Sequence, residues 1–244
     1  MQPNSKFWFL FLPLTTFLCF TGIKDKVSAQ ITPDNTLGND NSVVETITPQ
    51  LQLIDGGATR GANLFHSFVE FNIGEGNTAY FSNPAAIQNI FTRVTGNNPS
   101  QILGTLGVLG NANLYFFNPN GIIFGDNASL DIRGSFIAST ASSLTFPDST
   151  KFSATNPEAP PLLVNNVSVP VGLQFEGIPG TITSTADLNT GQDLKLAAGN
   201  LDLQNQLQAR GNLTLEAADT INIEGNVDAS SPFNLDKGGD ITLL

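Results

Sequence analysis

The sequence predicts an all-β protein built as a parallel β-helix, and three observations predict it. First, "DLKLAAGNLDLQNQLQA" (Asp193–Ala209) repeats as "NLTLEAADTINIEGNVDA" (Asn212–Ala229): Leu194 and Leu196 map onto Leu213 and Leu215 at an offset of 19, and Leu201, Leu203, Leu207 and Ala209 onto Ile221, Ile223, Val227 and Ala229 at an offset of 20. Second, the apolar residues within each copy come as i, i+2 pairs separated by a few Gly, Asn, Asp or Ala positions, the period of a strand with one buried face. Third, Leu114/Phe116, Ile122/Phe124 and Leu130/Ile132 advance in steps of 8, with turns at "NPNG" and "GDNAS". Three short strands per repeat cannot close a core alone. Stacked at roughly 4.8 Å they bury one continuous interior. A leucine-rich repeat would need a helical half, and none is present; a hairpin sandwich does not account for the repeat spacing.

Along the chain, the first element is an export signal. Lys6 precedes "FWFLFLPLTTFLCF" (Phe7–Phe20), which is short for a membrane span and broken by Pro13. "VSAQ" follows, with Val27 and Ala29 at the −3 and −1 positions of a small-residue cleavage site, so cleavage is expected between Ala29 and Gln30. Leu18 before Cys19 argues against a lipoprotein signal. Residues 1–29 hold Lys6, Lys24, Lys26 and Asp25. Their removal leaves 10 less 3 basic and 21 less 1 acidic side chains, a net charge of −13. Such a surface repels nucleic acid and anionic membranes. Cys19 is the single cysteine, so the remainder has no disulfide and depends on packing and hydrogen-bond ladders. With no second long apolar segment, stable membrane insertion is not expected.

Residues 30–42, "QITPDNTLGNDNS", read as polar and flexible. The alternating stretch from Val43 to Ile73 reads as strands covering the first coil, whose open end would otherwise be an exposed sheet edge. In "SNPAAIQNIFTRVTG", Asn83 and Pro84 suit a helix N-cap and first position, and Ile87, Ile90, Phe91 and Val94 would share a helix face. "NIFTRVTG" also reads as a strand. The expectation is one helical turn, then a strand. Next comes "LYFFNPNGIIFG" (Leu114–Gly125), a coil corner: Pro119 presets φ for its first position, and Asn120 and Gly121 tolerate the left-handed region. "FPDSTKFSATNPEAPPLL" (Phe146–Leu163) reads as a loop projecting from the stack. A third copy of the repeat opens at "GGDITLL", where Ile241 and Leu243 resume the pattern. The chain stops as that coil begins, which suggests a truncated product or part of a longer exoprotein.

Catalytic constellations are weak. "GEGNTA" (Gly74–Ala79) imitates a dinucleotide fingerprint, but the acid that should stand about 20 residues on is missing. His66 is the single histidine and reads as a satisfied, partly buried side chain. Polysaccharide-cleaving β-helices need clustered acids beside an arginine. Here Arg60, Arg93, Arg133 and Arg210 are scattered, while Asp193, Asp202, Glu216, Asp219, Glu224 and Asp228 fall at turns or outward positions. No cofactor or metal is expected. One feature stands out: from Gly76 to Gly125, Arg93 is the sole charged residue.

Those residues also carry a family likeness. Leu64 to Thr140, "LFHSFVEFNIGEGNTAYFSNPAAIQNIFTRVTGNNPSQILGTLGVLGNANLYFFNPNGIIFGDNASLDIRGSFIAST", resembles the N-terminal two-partner secretion domain of filamentous-haemagglutinin-like exoproteins, especially the cyanobacterial wording. The resemblance implies a right-handed parallel β-helix with an N-terminal cap and extra-helical strands. It implies a secretion domain over residues 30–175, followed by further β-helix repeats over 176–244. It also implies export through the periplasm to the cell surface or medium, by way of an outer-membrane transporter of the Omp85 superfamily that recognises the domain through its POTRA domains. By motif, NPNGI carries over to Asn118, Pro119, Asn120, Gly121 and Ile122. The second family motif, NPNL, is not present verbatim; Asn97–Ser100 stands nearest, making Asn98, Pro99 and Ser100 its candidates. The leading functional expectation is a non-enzymatic secretion module. The alternatives are a surface adhesin or stalk binding a cell-surface or glycan receptor, and a polysaccharide-cleaving β-helix.

Overall fold

A computed structural model describes residues 30–158, 170–230 and 238–244. Ala29 and the rest of the expected export signal lie outside the described residues; Gln30 opens the first strand. The described residues form strands and turns, with no helix among them.

The chain begins with an antiparallel cap. β1 (Gln30–Pro33) runs antiparallel to β5 (Asn63–Asn72), β2 (Ser42–Thr48) to β3 (Leu51–Gly56), and β4 (Ala58–Arg60) to β5. By pairing along β5, β1 occupies what would otherwise be the open edge of the first parallel strand. The flexible segment expected over residues 30–42 is instead packed onto the cap, with β1 as a strand and residues 34–41 as turns. Ile31 and Leu37 are buried, as is the Asp34 carboxylate. The sequence misleads because its apolar residues are few and each is used.

From β5 onward the chain winds. The first coil continues through Ile73 to β6 (Thr78–Ser82). β7 (Asn89–Val94), β8 (Ser100–Ile102) and β9 (Thr105–Leu109) make the second, and β10 (Asn113–Phe117), β11 (Ile122–Phe124) and β12 (Ser129–Asp131) the third. β13 (Phe136–Ser139) starts the fourth. The chain then leaves the stack to form β14 (Ser143–Thr145), β15 (Lys151–Ser153) and β16 (Gly172–Gln174), and returns for β17 (Thr181–Ser184) and β18 (Leu188–Thr190). β19 (Leu194–Leu203) runs around a corner unbroken before β20 (Leu207–Ala209). β21 (Leu213–Ile223) does the same before β22 (Val227–Asp228), and β23 (Ile241–Leu243) begins another coil.

The register is that of a parallel β-helix. Leu64, Ile90, Leu114, Phe136, Leu194, Leu213 and Ile241 are successive partners on one face, each pair parallel. Phe136 pairs directly with Leu194, so the excursion between them is inserted without disturbing the column. A second face stacks β8, β11, β17 and the far half of β19. The third holds β3, β6, β9 and β12, then β18, β20 and β22 as a separate sheet.

Two further expectations change. Pro84 starts a hydrogen-bonded turn, with Ile87 N donating to the Pro84 carbonyl at 2.9 Å, and no helical turn forms. Of the apolar residues that would have shared a helix face, Ile87 closes the turn and the other three alternate across β7. Ile90 and Val94 enter the main core, and Phe91 points to the opposite side. The segment after Phe146 is no simple loop either. β14 pairs antiparallel with β15 and β16, and this small sheet lies on the outer face of the stack. Phe65, Phe91 and Phe117, outward by strand alternation, are buried beneath Leu144, Phe146 and Phe152. Phe65 stacks on Phe91 at 5.1 Å, and Phe152 meets Phe65 edge-on at 4.9 Å. Residues 159–163 of the expected loop are outside the described residues.

Candidate functional site

The NPNGI corner joins β10 to β11 and is closed by its own side chains. Asn118 Oδ1 accepts from the Asn120 backbone N–H at 3.0 Å, an Asx turn, and Gly121 N–H donates to the Asn118 carbonyl at 3.1 Å. Pro119 fixes the first corner position. Of the two residues that tolerate the left-handed region, Gly121 takes it at φ 125° and Asn120 does not. A Cβ on Gly121 would meet the Thr181 carbonyl at 3.0 Å, so the corner requires glycine for conformation and space alike.

The same corner is bonded to the coils on either side. Toward the preceding coil, Asn118 Nδ2 donates to the Asn98 carbonyl at 2.9 Å and to Ser100 Oγ at 3.1 Å. Asn120 Nδ2 donates to the Gly96 carbonyl at 2.8 Å, and Ser100 N–H to the Gly121 carbonyl at 3.0 Å. Toward the following coil, Gly180 N–H donates to the Pro119 carbonyl and Asn118 N–H to the Ser139 carbonyl, both at 3.0 Å. The two sequence-predicted segments, Asn98–Ser100 and Asn118–Ile122, thus meet as neighbouring steps of one corner. Asn118, Gly121, Ile122 and Ser100 are buried within it, whereas Asn97, Asn98, Pro99 and Asn120 face solvent. Asn98 also donates to Glu70 Oε1 at 2.6 Å.

Arg93, the sole charge of its stretch, does not reach the surface. It is 1% exposed. Nε donates to Ser67 Oγ, Nη1 to the Ser153 carbonyl, and Nη2 to Thr36 Oγ1 and the Glu158 carbonyl, all at 2.7–2.8 Å. The guanidinium also lies 4.2 Å from the Phe152 ring centre. Burial lowers its pKa to about 10, opposed by the charge of Asp34. For Asp34, burial would raise the pKa, but donation from Thr36, Thr95 and Ser67 prevails and holds it below the usual value. Because the one charge is consumed internally, the outer surface of this region is uncharged.

His66 differs from the expected satisfied, partly buried residue. It points inward from β5 and is fully buried. Nδ1 lies 3.0 Å from Ser42 Oγ, and Nε2 has no partner. Its register neighbour, Thr92, likewise buries an unpartnered hydroxyl. Phe68 and Phe81 flank the imidazole. Ser42, His66 and Thr92 are all buried, so the Ser42–His66 pair is shut off from solvent. Among the described residues no group of three His, Cys, Asp or Glu side chains could hold a metal ion.

One structural signal went unread in the sequence. A polar residue opens every strand of the first face: Asn89 Nδ2 donates to Asn63 Oδ1, and Asn113 Nδ2 to Asn89 Oδ1, both at 3.0 Å. Ser135 N–H donates to Asn113 Oδ1, Asn212 N–H to Asp193 Oδ1, and Asp240 N–H to Asn212 Oδ1. Asp193 thereby links neighbouring coils rather than merely facing solvent.

The family of TPS secretion domains matches residues 29–241. The chain belongs to that family. It is also 35% identical over 102 residues to the heme/hemopexin-binding protein of Haemophilus influenzae, an alignment covering 42% of this chain and 10% of that protein's length. A crystal structure of the filamentous hemagglutinin secretion domain aligns over 87% of this chain and 99% of the other at 14% identity, with a TM-score of 0.33. That superposition is loose; the β-helical architecture rests on the strand register itself.

Proposed function

We propose that this TPS secretion domain is a non-enzymatic targeting module, read by the periplasmic POTRA domains of an outer-membrane transporter. On this reading residues 1–29 direct export to the periplasm, residues 30–175 form the recognised part, and residues 176–244 continue the shaft. The folded product stands at the cell surface or in the medium. The observation that carries the reading is the shared corner. Two short uncharged segments, about one coil apart in sequence, converge there, with Asn118 and Gly121 holding the shape and Asn97, Asn98, Pro99 and Asn120 presented outward. Before folding the same segments are open backbone with no charge to desolvate, suited to pairing with a partner's sheet edge.

Pull-down of urea-unfolded chain, diluted onto the transporter's periplasmic domains, separates recognition from folding. Asn120→Ala and Asn98→Ala are expected to weaken capture and lower secretion while the purified variants still fold. Asn118→Ala is expected to impair folding, because it removes both the Asx turn and the clamp on Asn98 and Ser100. Capture and secretion at wild-type levels by Asn98→Ala and Asn120→Ala would take these residues out of recognition and leave the corner purely structural.

A further inference from the structure

We propose that Asn120 is a modification site, deamidated in the open chain and protected by folding. Asn120-Gly121 is the one Asn-Gly pair in the sequence. The reaction is intramolecular. The Gly121 backbone nitrogen loses its proton and attacks Asn120 Cγ; the new C–N bond closes a five-membered imide and ammonia departs. Water then opens the imide at either carbonyl, leaving aspartate or isoaspartate. Glycine favours the attack because no Cβ obstructs the nitrogen's approach.

The corner demands this reactive pair. Gly121 is held to glycine by its φ of 125° and by the Thr181 carbonyl, and Asn120 supplies an amide N–H that the Gly96 carbonyl accepts. In the folded chain the same contacts block the chemistry. The nucleophilic nitrogen is engaged through its proton with the Asn118 carbonyl at 3.1 Å. The target amide is pinned between the Gly96 carbonyl at 2.8 Å and Asn118 Oδ1 at 3.2 Å. Cyclisation would have to break these bonds and swing Cγ away from the preceding coil, so reaction needs local opening.

The product does not fit where the reactant did. A carboxylate has no N–H for the two oxygens that hold Asn120, and would set a negative charge against both acceptors. An isoaspartate would also lengthen the backbone inside a turn bonded to coils on both sides. Prolonged unfolding therefore yields a chain that closes its corner poorly. The chemistry stands whether or not a transporter reads this corner; only its consequence, a limit on how long an unfolded chain stays competent for export, rests on the proposed targeting role.

The test compares the full chain held in urea with the same chain refolded, at equal mildly alkaline pH and temperature, using peptide mass mapping and enzymatic isoaspartate methylation. Conversion at Asn120 is expected at least about tenfold faster in urea than in the folded protein, with Asn127-Ala128 as the slow internal reference. Equal rates in the two states would overturn the protection. For the product, Asn120→Asp is compared with Asn120→Ala, which removes the same donor without adding charge. Asn120→Asp is expected to refold more slowly and in lower yield than Asn120→Ala; refolding equal to that of Asn120→Ala or of wild type would overturn the claim that the product opposes closure.

Discussion

The Arg93 guanidinium donates to Thr36 Oγ1 at 2.7 Å, joining the second coil to the segment that follows the first strand of the chain. With the Ser153 and Glu158 carbonyls on its other sides, Arg93 is where the cap, the stack and the outer sheet meet. A parallel solenoid gains stability from neighbour to neighbour, so a side chain that bonds three separately formed parts couples events that would otherwise be independent.

Replacing Arg93 with Ala is expected to destabilise the protein by about 3 kcal/mol, since charge-assisted bonds are lost and buried acceptors are left unpaired. Lysine should not restore it, because an ammonium cannot span the fork of acceptors that Nε, Nη1 and Nη2 reach. Urea unfolding followed by circular dichroism measures both variants. Hydrogen exchange should show the loss first in β1 and β15. Wild-type midpoints for either variant would contradict the coupling.

Position along the column sets the cost of losing a core leucine. Leu196 is fully buried, with Ala138 and Leu215 as its parallel neighbours, whereas Leu243 at the far end of the same column is 56% exposed. Leu196→Ala is expected to cost about 2–5 kcal/mol through the cavity it leaves. Leu243→Ala should stay within about 0.5 kcal/mol of wild type. Chemical denaturation of the two variants provides the comparison, and equal losses would mean that the column does not extend as its register indicates.

How much of this was legible in the sequence depends on whether a residue faces inward or outward. Inward residues declared themselves through i, i+2 pairing: Leu194 and Leu213 stack as their 19-residue offset requires. So did the NPNG corner, because Pro and Gly have few conformational uses. Outward positions were not legible. Phe65 and Phe91 look like interior residues out of phase until the outer sheet that covers them is known, and that sheet is made of segments far along the chain. The role of Arg93 was hidden for the same reason, since its partners lie up to 65 residues away. The polar ladder was in plain view as Asn, Ser or Asp at the start of each first-face strand, but its meaning needs the strands to be aligned.

Tyr80 lies across Gly107 to reach Asp131, with its hydroxyl donating to Oδ2 at 2.6 Å across two coil steps. A Cβ on Gly107 would come within 2.3 Å of the Tyr80 ring. Gly107→Ala is therefore expected to lift the ring and sever its bond to Asp131. The phenol's pKa, raised chiefly by that hydrogen bond, should move back toward its ordinary value. Ultraviolet titration of tyrosinate in Gly107→Ala and Asp131→Asn against wild type tests this. Because the hydroxyl and its partner lie at the surface, the expected loss of stability is small, at most about 1 kcal/mol. An unchanged titration in both variants would refute the contact.

His66 should make the fold acid-sensitive. Burial pushes its pKa down to about 3, while in the unfolded chain it titrates near 6.5. Between these values the unfolded chain binds the extra proton, so stability rises with pH; equivalently, it falls on acidification from about pH 6.5 by up to about 1.4 kcal/mol per unit. Asp34 acts in the same direction but lower. Its folded pKa is depressed, so its contribution is complete above the ordinary carboxylate value and is lost only below it. The interval from about pH 4.5 to 6.5 therefore belongs to His66. Asn at this position can keep the bond to Ser42 Oγ and has no proton to gain, so His66→Asn is expected to be less stable at neutral pH through lost packing, yet nearly flat across that interval. Urea midpoints of wild type and His66→Asn at several pH values decide it. A wild-type profile as flat as the variant's would mean that the buried imidazole accommodates its proton, and that Nε2 is not the unpartnered atom the structure places among Phe68 and Phe81.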